Sequence, residues 1–219
     1  MIVEKIMHRS LMGTEILGIR QTGDLEGRDA KRVFEIYRRL TKGASLLPPA
    51  VAFILDDECR SEAVKRDLFK LSANLALFLP RRMYENYLLN PSAIVYLCNS
   101  ISGFRTSQVT VDEVRAAIDK KLSDPRYFCA SDKVKTPADW LQNVDGARVL
   151  EELFRELSET RVEYEKVAHG IALTEWLIEN APGELDEVVQ LLSKALSGEG
   201  SAAATTPQAK AVAVQPSRK

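Results

Sequence analysis

The chain has 219 residues, of which 45% are hydrophobic and 28% charged, the composition of an ordinary globular protein with one main domain. A formal net charge of -1 at pH 7 excludes a protein that attracts nucleic acid through its overall charge. No apolar run reaches the roughly 18 residues of a membrane span, and residues 1–18 lack a secretory-signal pattern, so we expect a cytoplasmic protein without a membrane partner.

The few cysteines and histidines argue against structural zinc sites and disulfide frameworks. Cys59, Cys98 and Cys129 are odd in number and lack Cys-x-x-Cys spacing, and the only histidines are His8 and His169. His169 stands beside apolar helix positions, which favours a packing or capping role. We therefore expect three reduced, structural thiols and no zinc cage.

The first part of the chain alternates between strand and helix patterns. Short apolar strands are predicted at 15–19, 51–55 and 75–79, with amphipathic helices at 29–42 and 61–71 between them. The unbroken apolar character of 51–55 is typical of a parallel strand covered on both faces. The pattern predicts an α/β fold with a mostly parallel sheet flanked by helices.

Beyond Pro91 the apolar periodicity becomes helical. Thr110 followed by Glu113 predicts a capping box at the start of the first of four helices. Residues 197–219 are small and polar and are expected to form a disordered tail. We predict an α/β domain over 1–99 and an α-helical segment packed on it over 100–196. The four helices are predicted at 111–122, 147–157, 162–179 and 184–196.

Three consecutive acids follow the predicted strand at 51–55. In an open α/β sheet, ligands bind at the carboxyl ends of the strands, where Asp56, Asp57 and Glu58 would emerge. A divalent cation offsets the repulsion between neighbouring carboxylates, and Mg²⁺ is held by one or two of them. We expect Asp56 and Glu58 to converge on such an ion while Asp57 points elsewhere. The alternative is that all three acids cap the following helix.

A second apolar strand also leads into charged residues. Arg81 and Arg82 follow it, and Glu85 comes just before a new apolar run. Glu85 is a further candidate metal ligand, or a residue that orients one, and the arginines are candidates for phosphate binding. The alternative for Glu85 is an ordinary helix start.

The two stretches, FILDDECRSE and LPRRMYENYLLNP, resemble the Toprim domain of the OLD family of ATP-dependent endonucleases. The family's Asp-x-Asp pair corresponds to Asp56 and Glu58, and its Arg-x-x-Glu-Asn-Tyr-Leu-Leu motif to residues 82–89. Segments 145–150 and 164–166 resemble the closing part of that region. The resemblance covers most of the chain and implies a Toprim-like, mostly parallel sheet followed by an α-helical C-terminal segment.

The resemblance also implies a function, namely metal-dependent hydrolysis of DNA phosphodiesters with two Mg²⁺ or Mn²⁺ ions. Asp56 and Glu58 would hold metal, and Glu85 would ligate or orient one ion. Lys166 would neutralise charge on the scissile phosphate, or would be merely a solvated helix lysine. DNA is the expected partner, and a separate ATPase subunit and a homo-oligomer are further candidates.

Two departures from the family keep other functions open. Toprim domains begin with a strand ending in Glu-Gly, whereas the nearest acid here is Glu4, followed by Lys5, so we expect that strand to lie upstream of this chain. No GxxxxGK[ST] phosphate loop is present, so the family's ATPase part is missing. One alternative is a catalytically incomplete Toprim-like module that binds DNA or a partner protein. Another is an unrelated α/β phosphotransferase acting on a small substrate.

Overall fold

The computed structural model combines a small parallel sheet with a larger helical body. Of the predicted helix at 29–42, residues 31 and 34–36 are described and helical. Most of the predicted strand at 15–19, and the predicted tail beyond residue 197, lie outside the described residues. The structure describes residues 1–12, 14, 16, 31, 34–36, 51–129 and 140–197.

Helices dominate the described part of the chain. Three 3-10 helices (Tyr84–Leu88, Pro125–Tyr127 and Pro182–Leu185) connect the longer elements. None of the described helices is long and apolar enough to cross a membrane. The remaining elements are α1 (Ile2–Lys5), β1 (Phe53–Leu55), α2 (Glu62–Leu71), β2 (Ala76–Phe78), α3 (Pro91–Ser100), α4 (Val111–Leu122), α5 (Trp140–Asn143), α6 (Gly146–Leu157), α7 (Lys166–Asn180) and α8 (Asp186–Ser197).

The strands β1 and β2 are parallel and joined by α2, as the alternating pattern predicts. Phe53 pairs with Ala76 and Leu55 with Phe78. Helix α2 begins after Ser61, whose side chain accepts a hydrogen bond from the backbone N–H of Val64 at 3.3 Å. The α/β class is therefore confirmed. The described residues contain two strands, so the larger Toprim-like sheet stays a prediction.

The expectation that β1 is covered on both faces is wrong. Phe53 and Leu55 are buried against Leu68 of α2 and Ala76, but Ile54 between them is 40% exposed. Successive side chains of a strand point to opposite faces, so only one face of β1 lies in the core. A continuous apolar run does not reveal which of its residues the fold leaves uncovered.

The helical body has one core, and α6 lies at its centre. Val149, Leu150, Leu153 and Phe154 are fully buried on one face of α6, within the helix predicted at 147–157. The core also includes the segment just after β2, because Tyr87 and its neighbours pack with α3, α6 and α7. The residues that follow the sheet are thereby held by the helices.

Two helix starts show how local sequence sets the boundaries. The predicted capping box of α4 is present: the Thr110 N–H donates to Glu113 at 2.7 Å and the Glu113 N–H donates to the Thr110 hydroxyl at 3.3 Å. Helix α7 begins at Lys166, four residues later than predicted. His169 Nδ1 accepts the backbone N–H of Glu165 at 2.9 Å and so fixes the start there.

The expectation of three reduced cysteines is corrected by the structure. Cys59, in the loop after β1, and Cys129, just after the second 3-10 helix, form a disulfide with their Cα atoms 6.5 Å apart. The two residues are 70 positions apart in sequence, so spacing along the chain gives no sign of the pair. Cys98 is the free, buried thiol among the described cysteines.

Candidate functional site

Asp56 lies at the carboxyl end of β1, beside the 3-10 helix that follows β2. Its Oδ1 accepts a hydrogen bond from the backbone N–H of Tyr84 at 3.2 Å. Since β1 and β2 are parallel, the segments that leave them meet at the same edge of the sheet. Asp56 after β1 and Glu85, the residue next to Tyr84, both lie at this edge.

Glu85 is a buried carboxylate with one unsatisfied oxygen. The residue is only 3% exposed. Its Oε1 pairs with the Lys166 ammonium at 2.7 Å, while its Oε2 is buried and has no hydrogen-bond partner among the described residues. Burying an unsatisfied carboxylate oxygen is costly, so such an atom indicates a missing ligand or a functional role.

The charges of Asp56, Glu85 and Lys166 act on one another. Burial raises the pKa of the Asp56 carboxyl, and the charge of Glu85 raises it further, against the opposing effects of the Tyr84 N–H and of Lys166. Burial alone would lower the pKa of Lys166, but its hydrogen bond and ion pair with Glu85 raise it. Two carboxylates and one ammonium therefore form a single electrostatic unit.

The other two acids of the cluster are placed differently. Asp57 pairs with Lys65 of α2, so it points away from the site as expected. Glu58 is exposed, has a left-handed backbone with φ of 47°, and lies 3.7 Å from the Arg60 guanidinium. No group of three or more His, Cys, Asp or Glu side chains among the described residues has metal-binding geometry. Glu58 therefore stands at the rim of an Asp56 and Glu85 pair.

The two arginines predicted to bind phosphate have protein partners. Arg81 lies over the Tyr87 ring, 4.2 Å from its centroid, and its Nε contacts Glu187 at 3.0 Å. Arg82 pairs with Asp145 at 3.2 Å and donates to the backbone carbonyls of Tyr127 and Asn143. These contacts tie the segment after β2 to the helices. Phosphate binding by Arg81 or Arg82 stays a prediction.

A close backbone contact holds Glu85 in place. The Asn86 side chain accepts from the Gly146 N–H at 3.2 Å and donates to the carbonyls of Leu141 at 2.7 Å and Val144 at 3.0 Å. A Cβ at residue 146 would come within 2.7 Å of the backbone nitrogen of Asn86 and 2.9 Å of the carbonyl carbon of Glu85. Only glycine permits this approach. The sequence reasoning did not single out Asn86 or Gly146, although both lie in the stretches quoted for the resemblance.

An open cavity of about 470 Å³ adjoins the carboxylate pair. Asp56, Glu85 and Lys166 lie along it, together with Tyr84 and Thr174, whose hydroxyls are 2.9 Å apart. The rest of its wall is largely apolar, so the site is a small charged patch beside an apolar hollow. The apolar wall includes Leu11, Ile16, Leu88, Val167, Ile171 and Leu192.

Glu4, the sequence candidate for a first-strand carboxylate, lies on helix α1. Its side chain is exposed and pairs with the amino group of Met1 at 3.4 Å. A residue on a helix does not supply the strand-end carboxylate that a Toprim domain uses. Glu4 is therefore not part of the site that the described residues form.

The Asp56 and Glu85 pair fits a hard divalent cation. Mg²⁺ and Mn²⁺ prefer oxygen ligands and are commonly held by one or two carboxylates, with water and substrate completing the shell. A cation would satisfy the unpartnered Oε2 of Glu85 and would offset the burial and the Glu85 charge that raise the pKa of Asp56. The Lys166 ammonium already balances part of that charge.

No protein-family model, curated protein or solved structure matches this chain. The geometry of Asp56, Glu85 and Lys166 is therefore what points to a function for this chain.

Proposed function

We propose that the chain is a Toprim-like, metal-dependent endonuclease module that hydrolyses DNA phosphodiesters with Mg²⁺ or Mn²⁺ held by Asp56 and Glu85. The observation that supports it most is the buried, unpartnered Oε2 of Glu85 beside the Asp56 carboxylate, whose pKa is raised by burial and then by the charge of Glu85. A buried carboxylate with an unsatisfied oxygen, grouped with a second carboxylate in an open cavity, is typical of catalytic sites. The choice of DNA as the substrate comes from the sequence resemblance.

Each residue of the site has a role in this proposal. When bound, the ion would polarise a phosphoryl oxygen and favour ionisation of the attacking water. Asp56, fixed by the Tyr84 N–H, and Glu85, fixed by the Asn86 contacts, would supply the two carboxylates. Lys166 is mostly exposed and would offer its ammonium to the phosphate. Glu58 at the rim remains the candidate ligand for a second ion.

Nicking of supercoiled plasmid by the purified chain tests the proposal. Wild type is expected to nick with Mg²⁺ or Mn²⁺ and not with a chelator. Asp56→Asn and Glu85→Gln should abolish nicking, and Lys166→Met should slow it by about a hundredfold or more, the usual effect of losing one transition-state charge contact. Asp57→Asn is the matched control, because Asp57 pairs with Lys65 outside the site. Unchanged nicking by Asp56→Asn would remove the proposal.

A second candidate is a Toprim-like module that binds DNA or a partner protein without cutting. It is favoured by the lack of three clustered metal-ligating side chains among the described residues. DNA binding in gel shifts that does not depend on divalent cation or on Asp56, with no nicking, would support it over the nuclease.

The partners and the location follow from the same proposal. This chain has no phosphate-loop motif, so a separate subunit would supply the ATPase activity. ATP-dependent stimulation of nicking by such a subunit tests this partnership. Self-association is tested by sedimentation of the purified chain. Disulfides are rare in reducing compartments, so the expected cytoplasmic location requires that the Cys59–Cys129 disulfide persist there.

A further inference from the structure

The roles proposed for Asp56, Glu85 and Lys166 make no use of the apolar cavity beside the carboxylate pair. Asp56, Glu85 and Lys166 line one part of it, so a phosphate held at the site would lie at the mouth of the hollow. Its volume of about 470 Å³ lies within the range of small-molecule sites. The chemical group of the substrate that is bonded next to that phosphate would therefore lie closest to the cavity.

Helix α7 exposes apolar side chains along this cavity. Val167 and Ile171, one turn apart, are 74% and 47% exposed, and both line it. Helices normally turn such residues toward the core, because leaving them in water forgoes the free energy of burial. An exposed apolar wall next to a charged site is typical of a ligand-binding surface.

Apart from the Glu85 carboxylate at the charged site, the side-chain hydroxyls that line the cavity have partners within the protein. The Thr174 hydroxyl donates to the Gly170 carbonyl at 2.7 Å and is also in contact with the Tyr84 hydroxyl. The wall therefore presents apolar surface and few free donors or acceptors. It suits a flat group with apolar faces better than a charged one. In a DNA strand, the group attached beside each phosphate through the sugar is a base, which has such faces.

We propose that this cavity holds one unstacked base of the nucleotide next to the scissile phosphate. This inference rests on the proposed nuclease function and names the substrate it acts on: a strand that is unpaired at the cleavage position. A base inside a duplex would first have to leave its stack, which disfavours intact duplex DNA. Aliphatic side chains form no hydrogen bonds with the edges of a base, so the site would show little sequence preference.

Binding of labelled strands in Ca²⁺, followed by fluorescence anisotropy, separates base contacts from phosphate contacts. A ten-nucleotide thymidine strand is compared with an all-abasic strand that carries the same phosphates. Wild type is expected to bind the thymidine strand about fivefold or more tightly, since burying one base against apolar walls removes enough apolar surface from water to contribute at least that factor. The thymidine strand should also bind more tightly than its duplex with a complementary strand.

The variant Val167→Ser/Ile171→Ser is expected to lose the preference for the thymidine strand and to keep its affinity for the abasic strand. Both positions are exposed, so the fold should be retained, which circular dichroism checks. The matched control is Val64→Ser/Phe69→Ser on α2, where two similarly exposed apolar residues lie outside the cavity. The control should bind both strands as wild type does.

Three outcomes are distinguished. Equal affinity of wild type for the two strands, or an unchanged preference in the α7 variant, overturns the base cavity and leaves the nuclease proposal standing. Binding of neither strand in Ca²⁺ removes both proposals. Loss of the preference in the α7 variant alone, with the α2 control unchanged, supports the base cavity.

Discussion

Removing the Cys59–Cys129 disulfide should lower the free energy of unfolding of this chain by about 4 kcal/mol at 25 °C. The bond closes a loop with a sequence separation of 70. In the chain-entropy model, cross-linking a loop of that length removes unfolded-state entropy equivalent to about 4 kcal/mol. The change Cys59→Ser/Cys129→Ser deletes the bond with little change in side-chain volume, so this loss should dominate.

Urea unfolding followed by circular dichroism measures the effect. Oxidised wild type is compared with wild type in dithiothreitol and with the double serine variant, which should no longer respond to reductant. Cys98 should not interfere, because it is buried and its burial raises the pKa of the thiol to about 12. Cys98→Ala is the control that keeps the response to dithiothreitol.

Counting free thiols in denaturant tests whether the Cys59–Cys129 bond is present. Oxidised protein should show one thiol per chain, and reduced protein three. Three thiols without reductant, or an equal effect of dithiothreitol on wild type and the double variant, would show that the bond does not stabilise the fold.

Two further predictions concern stability. Gly146→Ala should lower the free energy of unfolding by about 1–3 kcal/mol, because the added Cβ would clash with Asn86. Gly170→Ala should not lower it, because its Cβ would meet only ordinary contacts and alanine favours the helix. Urea unfolding of both variants checks this, and equal effects would contradict the close approach at Gly146. Burial lowers the pKa of His169 from 6.5, with the charge of Glu165 opposing, so its contribution to stability is present above pH 6.5 and lost as the pH falls through the lowered pKa. The melting temperature of wild type, but not of His169→Gln, should show this loss, and parallel pH profiles of the two proteins would contradict it.

Elements set by local sequence could be predicted from the chain alone. The β1–α2–β2 unit follows from short apolar runs separated by an amphipathic helix. The start of α4 follows from Thr110 and Glu113, and the buried face of α6 from its apolar spacing. In the two helices, the residues that decide the structure lie within about two helical turns of each other.

Features that depend on distant residues could not be predicted in the same way. Nothing near Cys59 indicates Cys129, and nothing near Arg82 indicates its ion pair with Asp145. The exposure of Ile54 is likewise decided by the packing around the sheet. Within the site, the sequence pointed to Asp56 and Glu58 as a pair. The structure also places Glu85 beside Asp56, whereas Glu58, which has a positive φ, is exposed at the rim.

The most direct test of the account is the binding of Mn²⁺, measured by electron paramagnetic resonance of the free ion in titrations of the purified chain. Wild type and Asp57→Asn should bind Mn²⁺ with similar affinity, and Asp56→Asn and Glu85→Gln should each bind about tenfold or more weakly, as loss of a positioned carboxylate predicts. If Asp56→Asn and Glu85→Gln bind Mn²⁺ as tightly as wild type, or if wild type binds none, the carboxylate pair is not a cation site and the proposed function is wrong.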